Sequence, residues 1–294
     1  MALNVKYGIS GINWVNEDML DLGDHYTADD VLSQMQALGF EGTEFCRKFP
    51  RSVPELSRLL ERYGMTLVAQ WKSLAFRDAS RREEEMRAFR EHADFLRAMG
   101  SRYVVACETG DAFEDPHSNR VAIQPLTDEQ WRNLAEGLNE AGRYCQSVGL
   151  ELVYHYHGET VIERGEDIRR LMESTDPAYV HMLYDTGHAY YGGSDPLDIL
   201  RTYYDRIRYI HLKDVRRDVL ERARRAGLRF REAVRQGVFT VPGDGCIDFA
   251  PIYRELHERG YEGWILIEAE QDPAVAEPTR YARQCMEYIR GITP

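Results

Sequence analysis

Cysteine is scarce and unpatterned in this chain of 294 residues. Cys46, Cys107, Cys145, Cys246 and Cys285 are odd in number, widely spread, and nowhere form a C-x-x-C pair. That excludes a disulfide framework and a ribbon-type structural zinc, and makes a reducing compartment the expectation. Long apolar runs are missing too. No window approaches the roughly 18–20 residues of a membrane span, and MALNVKYGIS has no basic stretch leading into an apolar one, so neither a span nor a signal peptide is expected. Positive charge is in deficit: Lys+Arg 37 against Asp+Glu 49 leaves a formal net charge of −12. That balance argues against nucleic acid or an anionic membrane as partner. Also absent are a Walker A loop, a G-x-S-x-G elbow, an H-E-x-x-H helix and a G-x-G-x-x-G after the first strand. A cytoplasmic enzyme acting on a small molecule remains.

What is present is a rhythm. Strand-like runs occupy 5–10, 40–45, 65–71, 102–107, 150–157, 180–185, 207–212 and 264–269, several of them continuously apolar and rich in Val, Ile and Tyr. Strands buried on both faces read this way. Between them, 27–39, 53–64, 82–100 and 127–149 carry apolar residues at three- and four-residue spacing. Gly39, Gly64, Gly100 and Gly149 close these helices as left-handed caps would. Thr27, Ser52 and Thr127 open three of them, with Asp30, Glu55 and Gln130 at capping-box spacing. Short connections and crossover helices force parallel strands. Eight such units predict an α/β fold, a (β/α)8 TIM barrel forming one domain over 1–294, in preference to a doubly wound sheet.

One insertion, 215–248, interrupts the alternation before the last strand. Its arginine-rich part, 215–237, reads either as a surface helix, compatible with packing in a homo-oligomer, or as a lid bringing Arg216 or Arg217 to a substrate. The following TVPGDGCIDF has turn chemistry suited to lying close over a ligand.

In such barrels the chemistry sits at the C-terminal ends of the strands. Asp185 ends the sixth in YDTGH, with His188 three residues on; His211 ends the seventh in IHLKD, with Lys213 on the same face; Glu268 ends the eighth in ILIEAE, with Glu270 beside it. A buried carboxylate at 268 needs a metal or a cation. The fifth strand offers His155 and His157, and His155 is the choice for a fourth ligand, with His157 or water as substitutes. Two imidazoles and two carboxylates suit a divalent transition ion, Mn, Co or Zn, better than Mg or Ca. Asn13, Trp14, Lys72 and Glu108 follow other strands as candidate substrate contacts, and Glu44 follows the second. His25, His92, His117, His181 and His257 read as structural or exposed, His25 being the exception to watch.

These strand ends resemble the xylose-isomerase-like barrel superfamily of sugar isomerases, epimerases and dehydratases. GINWVN (11–16), GFEGTE (39–44), YHYHGETV (154–161), LYDTGH (183–188), HLKDVRR (211–217), FTVPGDGCIDF (239–249) and YEGWILIEAEQDPA (261–274) resemble its myo-inosose-2 dehydratase family. The superfamily's usual fifth-strand glutamate is replaced here by His155. The resemblance implies loss of water from 2-keto-myo-inositol, a cyclic polyol ketone of inositol catabolism, to a trihydroxycyclohexane-1,2-dione. Mn or Co would be the metal, held by His155, Asp185, His211 and Glu268. For that chemistry Lys213, Glu44 and His157 are the candidate acid and base, and Asn13, Trp14, Lys72, His188, Arg217 and Glu270 the candidate substrate contacts. A metal-dependent ketose epimerase or isomerase is the alternative on the same barrel.

Overall fold

A computed structural model describes residues 3–110 and 125–293; His117 lies outside the described residues. All eight expected strands form. They are β1 (Val5–Ile9), β2 (Gly42–Glu44), β3 (Thr66–Leu74), β4 (Tyr103–Glu108), β5 (Glu151–His155), β6 (Val180–Asp185), β7 (Ile207–Leu212) and β10 (Gly263–Ile267). They close into a parallel barrel in the order β1-β10-β7-β6-β5-β4-β3-β2. Gly39, Gly64, Gly100 and Gly149 take positive φ at the ends of the four expected helices. Capping boxes form at Thr27 with Asp30 and at Thr127 with Gln130. The expected box at Ser52 does not form, because its hydroxyl donates to the Glu55 carboxylate at 2.6 Å instead of accepting a backbone N–H.

Inside the barrel, side chains of alternate residues stack in layers. The lower layer is apolar: Tyr103 lies flat on Tyr209 (ring centroids 4.8 Å apart), beside Trp264, Leu266, Val105, Val153 and Leu183. Gly42 is small because a Cβ there would stand 2.7 Å from the Trp264 ring. Two residues further along the same strands the character changes. Tyr209 gives way to His211 and Lys213, Leu266 to Glu268 and Glu270, Leu183 to Asp185, and Val153 to His155 and His157. The sheet's alternation therefore delivers these strand-end groups onto an apolar floor.

The insertion is folded. β8 (Asp214–Val215) pairs antiparallel with β9 (Phe239–Thr240), and between them run helices Arg217–Ala226 and Phe230–Arg235. Arg216 does not reach toward a substrate; it stitches the insertion together through Gly237 O, Phe239 O, Thr240 Oγ1 and the Asp244 carboxylate. The glycine-rich turn after β9 wraps the buried Asp214 carboxylate, which accepts from the backbone N–H groups of Gly243, Gly245 and Ile247. That turn serves a protein carboxylate, where the sequence had suggested a ligand. Arg235 grips Asp21 with two bonds of 2.9 and 2.7 Å, and Arg229 donates to Glu159 at 2.9 Å, fastening the insertion across the mouth.

Candidate metal centre

Asp185 is completely buried, and the fold fixes it from several directions. Its backbone is clamped by the Tyr156 hydroxyl, which donates to Asp185 O at 2.8 Å and accepts from Asp185 N at 3.0 Å. Its Oδ1 caps the following short helix by accepting from His188 N at 2.8 Å, leaving Oδ2 to face the barrel axis. There Oδ2 stands 3.3 Å from His155 Nε2 and 3.7 Å from His211 Nδ1. Glu268 Oε2 approaches the same His211 nitrogen at 3.5 Å.

Ligand atoms from His155, Asp185 and His211 lie within 4.8 Å of one another, and so do those of Glu44, His211 and Glu268. Among the described residues, His155 Nδ1 and His211 Nδ1 are buried ring nitrogens without a hydrogen-bond partner. Buried polar atoms are normally satisfied. An orphaned His211 Nδ1 facing the Asp185 and Glu268 carboxylates, with His155 Nε2 beside the same Asp185 oxygen, fits a divalent transition ion.

Electrostatics bind the cluster. Burial acts to raise the Asp185 and Glu268 carboxyls, but Lys213 and the neighbouring imidazoles hold both below the usual range. For His211, burial disfavours the charged ring, and the adjacent Glu268 and Glu44 carboxylates outweigh it, pushing the group to about 10. Burial keeps His155 and His188 below their ordinary value.

A second rank of groups surrounds these. The Lys213 ammonium is sealed from solvent and contacts Glu268 Oε1 at 2.7 Å, Glu270 Oε2 at 2.9 Å and His188 Nε2 at 2.9 Å. Gly187 permits this, since a Cβ there would stand 2.5 Å from the Lys213 side chain. His188 Nδ1 also lies 3.2 Å from Gly158 N. A neutral imidazole carries one proton, so only one of its two contacts is a hydrogen bond at a time. His157 Nδ1 is 2.9 Å from Gly158 O, which can only accept; the proton therefore sits on Nδ1 and Nε2 carries the lone pair. Burial, then His155 and Lys213, lower His157 to about 3, so the ring is neutral near pH 7. Burial raises Glu270 to about 7 against the pull of Lys213.

Above the cluster opens a cavity of ≈ 340 Å³, with Glu44, His155, His157, His211, Glu268 and Glu270 in its walls and Ser10, Gln70, Trp71 and Ser73 at the polar rim. Of the six expected substrate contacts, five (Asn13, Trp14, Lys72, His188 and Arg217) are not among its lining residues, and neither is Glu108; His188 is fully buried beside the His157 ring. Asn13 is spent on backbone, donating to Ser10 O and Ile267 O and accepting from Ala269 N, which staples the end of β1 to β10. Trp14 is core, its indole N–H held by Gln34 at 2.8 Å. Lys72 is absent from the lining and its charge acts on His92 of the next helix. Arg217 lines a separate groove with Tyr190, Asp195 and Cys246. Glu108 is occupied by Phe76 N and Arg77, and His25 is exposed beside Tyr26. Lys213 lies beneath the cavity surface, covered by Glu268 and Glu270.

The insertion does cover the mouth, but with phenylalanines. Phe230 packs on His157 (4.8 Å) and His188 (5.8 Å), and Phe239 lies under the Lys213 ammonium at 4.9 Å. Phe230 sits inside the arginine-rich stretch, between Arg229 and Arg231, and Phe239 just past its end, so no sequence pattern marks either as a site residue.

The profile of the xylose isomerase-like TIM barrel family matches residues 32–292. An inosose dehydratase of Geobacillus kaustophilus (strain HTA426) is 53% identical over 97% of this chain and 93% of its own length. An inosose dehydratase of Clostridium perfringens (strain ATCC 13124) is 43% identical over 99% of this chain and 98% of its own. Among solved structures, the IOLI protein with a bound zinc atom superposes with a TM-score of 0.70 at 16% identity, covering 98% of this chain and 96% of that one. At that identity the likeness is one of fold.

Proposed function

The chain belongs to the inosose dehydratases of the xylose isomerase-like TIM barrel family, and on that premise we propose that it is a hydro-lyase removing water from 2-keto-myo-inositol to give a trihydroxycyclohexane-1,2-dione. The observation that carries the site is the convergence of Asp185, His211 and Glu268, from three adjacent strands, beside one cavity that His211, Glu268, His157 and Glu270 line. Its volume falls within the roughly 300–1,000 Å³ of small-molecule sites.

His155, Asp185, His211 and Glu268 would hold the divalent ion, Mn or Co foremost and Zn as the alternative. Such an ion is a Lewis acid that polarises a ketone and acidifies the adjacent C–H. His157, neutral and with its lone pair on Nε2, is the base that takes the α-proton, leaving the electron pair in the enediolate. The β C–O bond then breaks, and the hydroxyl leaves as water with a proton from Glu270. The proton His157 has taken returns Glu270 to its acid form through solvent in the open cavity, while Lys213, 2.9 Å behind Glu270, keeps its own proton and holds the carboxyl in place. The resulting enol tautomerises to the dione. His188 and Phe230 brace the His157 ring, while Trp71 meets it edge-on across the cavity and offers an apolar surface to the polyol ring. Glu44, grouped by sequence with the acid–base candidates, is engaged by His211 and takes no part in proton transfer in this reading.

The test is product identity. Purified protein incubated with 2-keto-myo-inositol is expected to yield a product lighter by one water that absorbs in the ultraviolet. A product of unchanged mass and altered stereochemistry would replace this reading with a ketose epimerase.

A further inference from the structure

Glu44 ends β2, and His211 is the penultimate residue of β7, with β1 and β10 between those strands, so their contact is neither a neighbouring-strand pair nor a consequence of local sequence. Glu44 Oε1 lies 3.0 Å from His211 Nε2, and both side chains are buried. A carboxylate only accepts, so this contact places a proton on Nε2. The other nitrogen, Nδ1, is buried, has no hydrogen-bond partner among the described residues, and faces Glu268 Oε2 at 3.5 Å and Asp185 Oδ2 at 3.7 Å. A histidine that ligates a metal is commonly held by a carboxylate on its second nitrogen, which selects the tautomer and the ring orientation.

We infer that Glu44 is a positioning residue: it fixes His211 with its proton on Nε2, so that His211 ligates through Nδ1, together with Asp185 Oδ2 and Glu268 Oε2. This rests on the metal reading above. The competing geometry is that Glu44 is itself a ligand, since its oxygen also lies within 4.8 Å of the ligand atoms of His211 and Glu268.

The two are separated with Co²⁺ as the probe, added to the metal-stripped full chain. The unchanged protein, Glu44→Ala, Glu44→Gln and Asp185→Asn are titrated with Co²⁺, their visible absorption is recorded, and the exchangeable imidazole N–H resonances shifted by the bound ion are followed by proton NMR. If Glu44 positions His211, Glu44→Ala weakens Co²⁺ binding about 10–100-fold. One ion still binds with an unchanged absorption band, and the His211 N–H resonance disappears through faster exchange. Glu44→Gln, which keeps an oxygen acceptor, lies between the two in affinity and retains the resonance; it also guards against a folding defect in the alanine variant. Unchanged affinity and an intact resonance in Glu44→Ala would overturn the inference. So would loss of stoichiometric binding with an altered absorption band, which would make Glu44 a ligand. Asp185→Asn checks the underlying reading separately. If it binds Co²⁺ as tightly as the unchanged protein, the assigned ligand set fails whatever Glu44 does, and an unchanged protein that binds none overturns both.

Discussion

The floor and the mouth of this barrel are built by the same strands, two residues apart, and they obey opposite rules. On the floor, Tyr103, Tyr209, Trp264 and Leu266 fill space and ask nothing of one another but shape. In the mouth, Asp185, His155, His211, Lys213, Glu268 and Glu270 are equally buried but charged or titratable, and each is tolerable only because the others are there. Removing one floor residue leaves a cavity, whereas removing one mouth residue leaves its partners uncompensated. The lesson is that burial alone does not distinguish structure from chemistry in this fold. The parity of a residue along its strand, and its distance from the strand's end, do.

The largest expected effect that tests this contrast is on activity. Asp185→Asn should lower turnover of 2-keto-myo-inositol by on the order of a thousandfold, since Lewis-acid polarisation supplies several kcal/mol and about 1.4 kcal/mol is a factor of ten. Steady-state kinetics beside a thermal melt would check it, and near-normal turnover in a folded variant would break the division between floor and mouth. The reverse is expected below: Trp264→Ala should cost about 3–5 kcal/mol of stability while activity per folded molecule stays close to normal. Denaturant unfolding and an active-site titration measure the two separately.

How far the sequence alone carries this contrast can be judged from single residues. The eight strands, their parallel order and the identity of Asp185, His211 and Glu268 as strand-end groups are all readable, because buried parallel strands are continuous apolar runs that end abruptly in charge. Parity is where reading fails. β3 slips register near Val68, and Trp71 and Ser73 come to line the cavity in place of Lys72, since a one-residue shift exchanges the faces of a strand. Asn13 and Trp14 lie at the end of a 3₁₀ turn (Gly11–Asn13) after β1, where alternation no longer applies, so Trp14 rotates into the core. Tyr156, which clamps Asp185 through two bonds, points away from the barrel axis and resembles any aromatic core residue in the sequence. Phe230 reaches the site only through the tertiary fold of the insertion, which no periodicity encodes.

A smaller effect sharpens the boundary between the layers. Gly187→Ala should force the Lys213 side chain aside, at about 1–3 kcal/mol for overpacking, and should reduce kcat more than it raises KM, because Lys213 supports Glu270 without lining the cavity. An equal change in both constants would place Lys213 in substrate binding instead.

The smallest is a pH effect confined to the other end of the barrel. Burial, reinforced by Arg208 and Arg206, lowers His181 at the start of β6 to about 4 from an ordinary 6.5. The unfolded chain therefore takes up this proton first, and the contribution of a neutral His181 to stability is lost as pH falls from about 6.5 to about 4. His181→Phe should flatten that part of the stability profile without moving the pH dependence of catalysis. A parallel shift in both profiles would mean that the two ends are coupled.

The claim that the mouth groups form one metal-dependent dehydratase centre is met most directly by stripping the protein of metal and adding back Mn²⁺, Co²⁺, Zn²⁺ and Mg²⁺ separately while formation of the dione is followed in the ultraviolet. Activity should vanish on stripping and return at about one equivalent of a transition ion, with Mn²⁺ or Co²⁺ most effective and Mg²⁺ least. Full dione formation by metal-free protein, undiminished by a chelator, would contradict it.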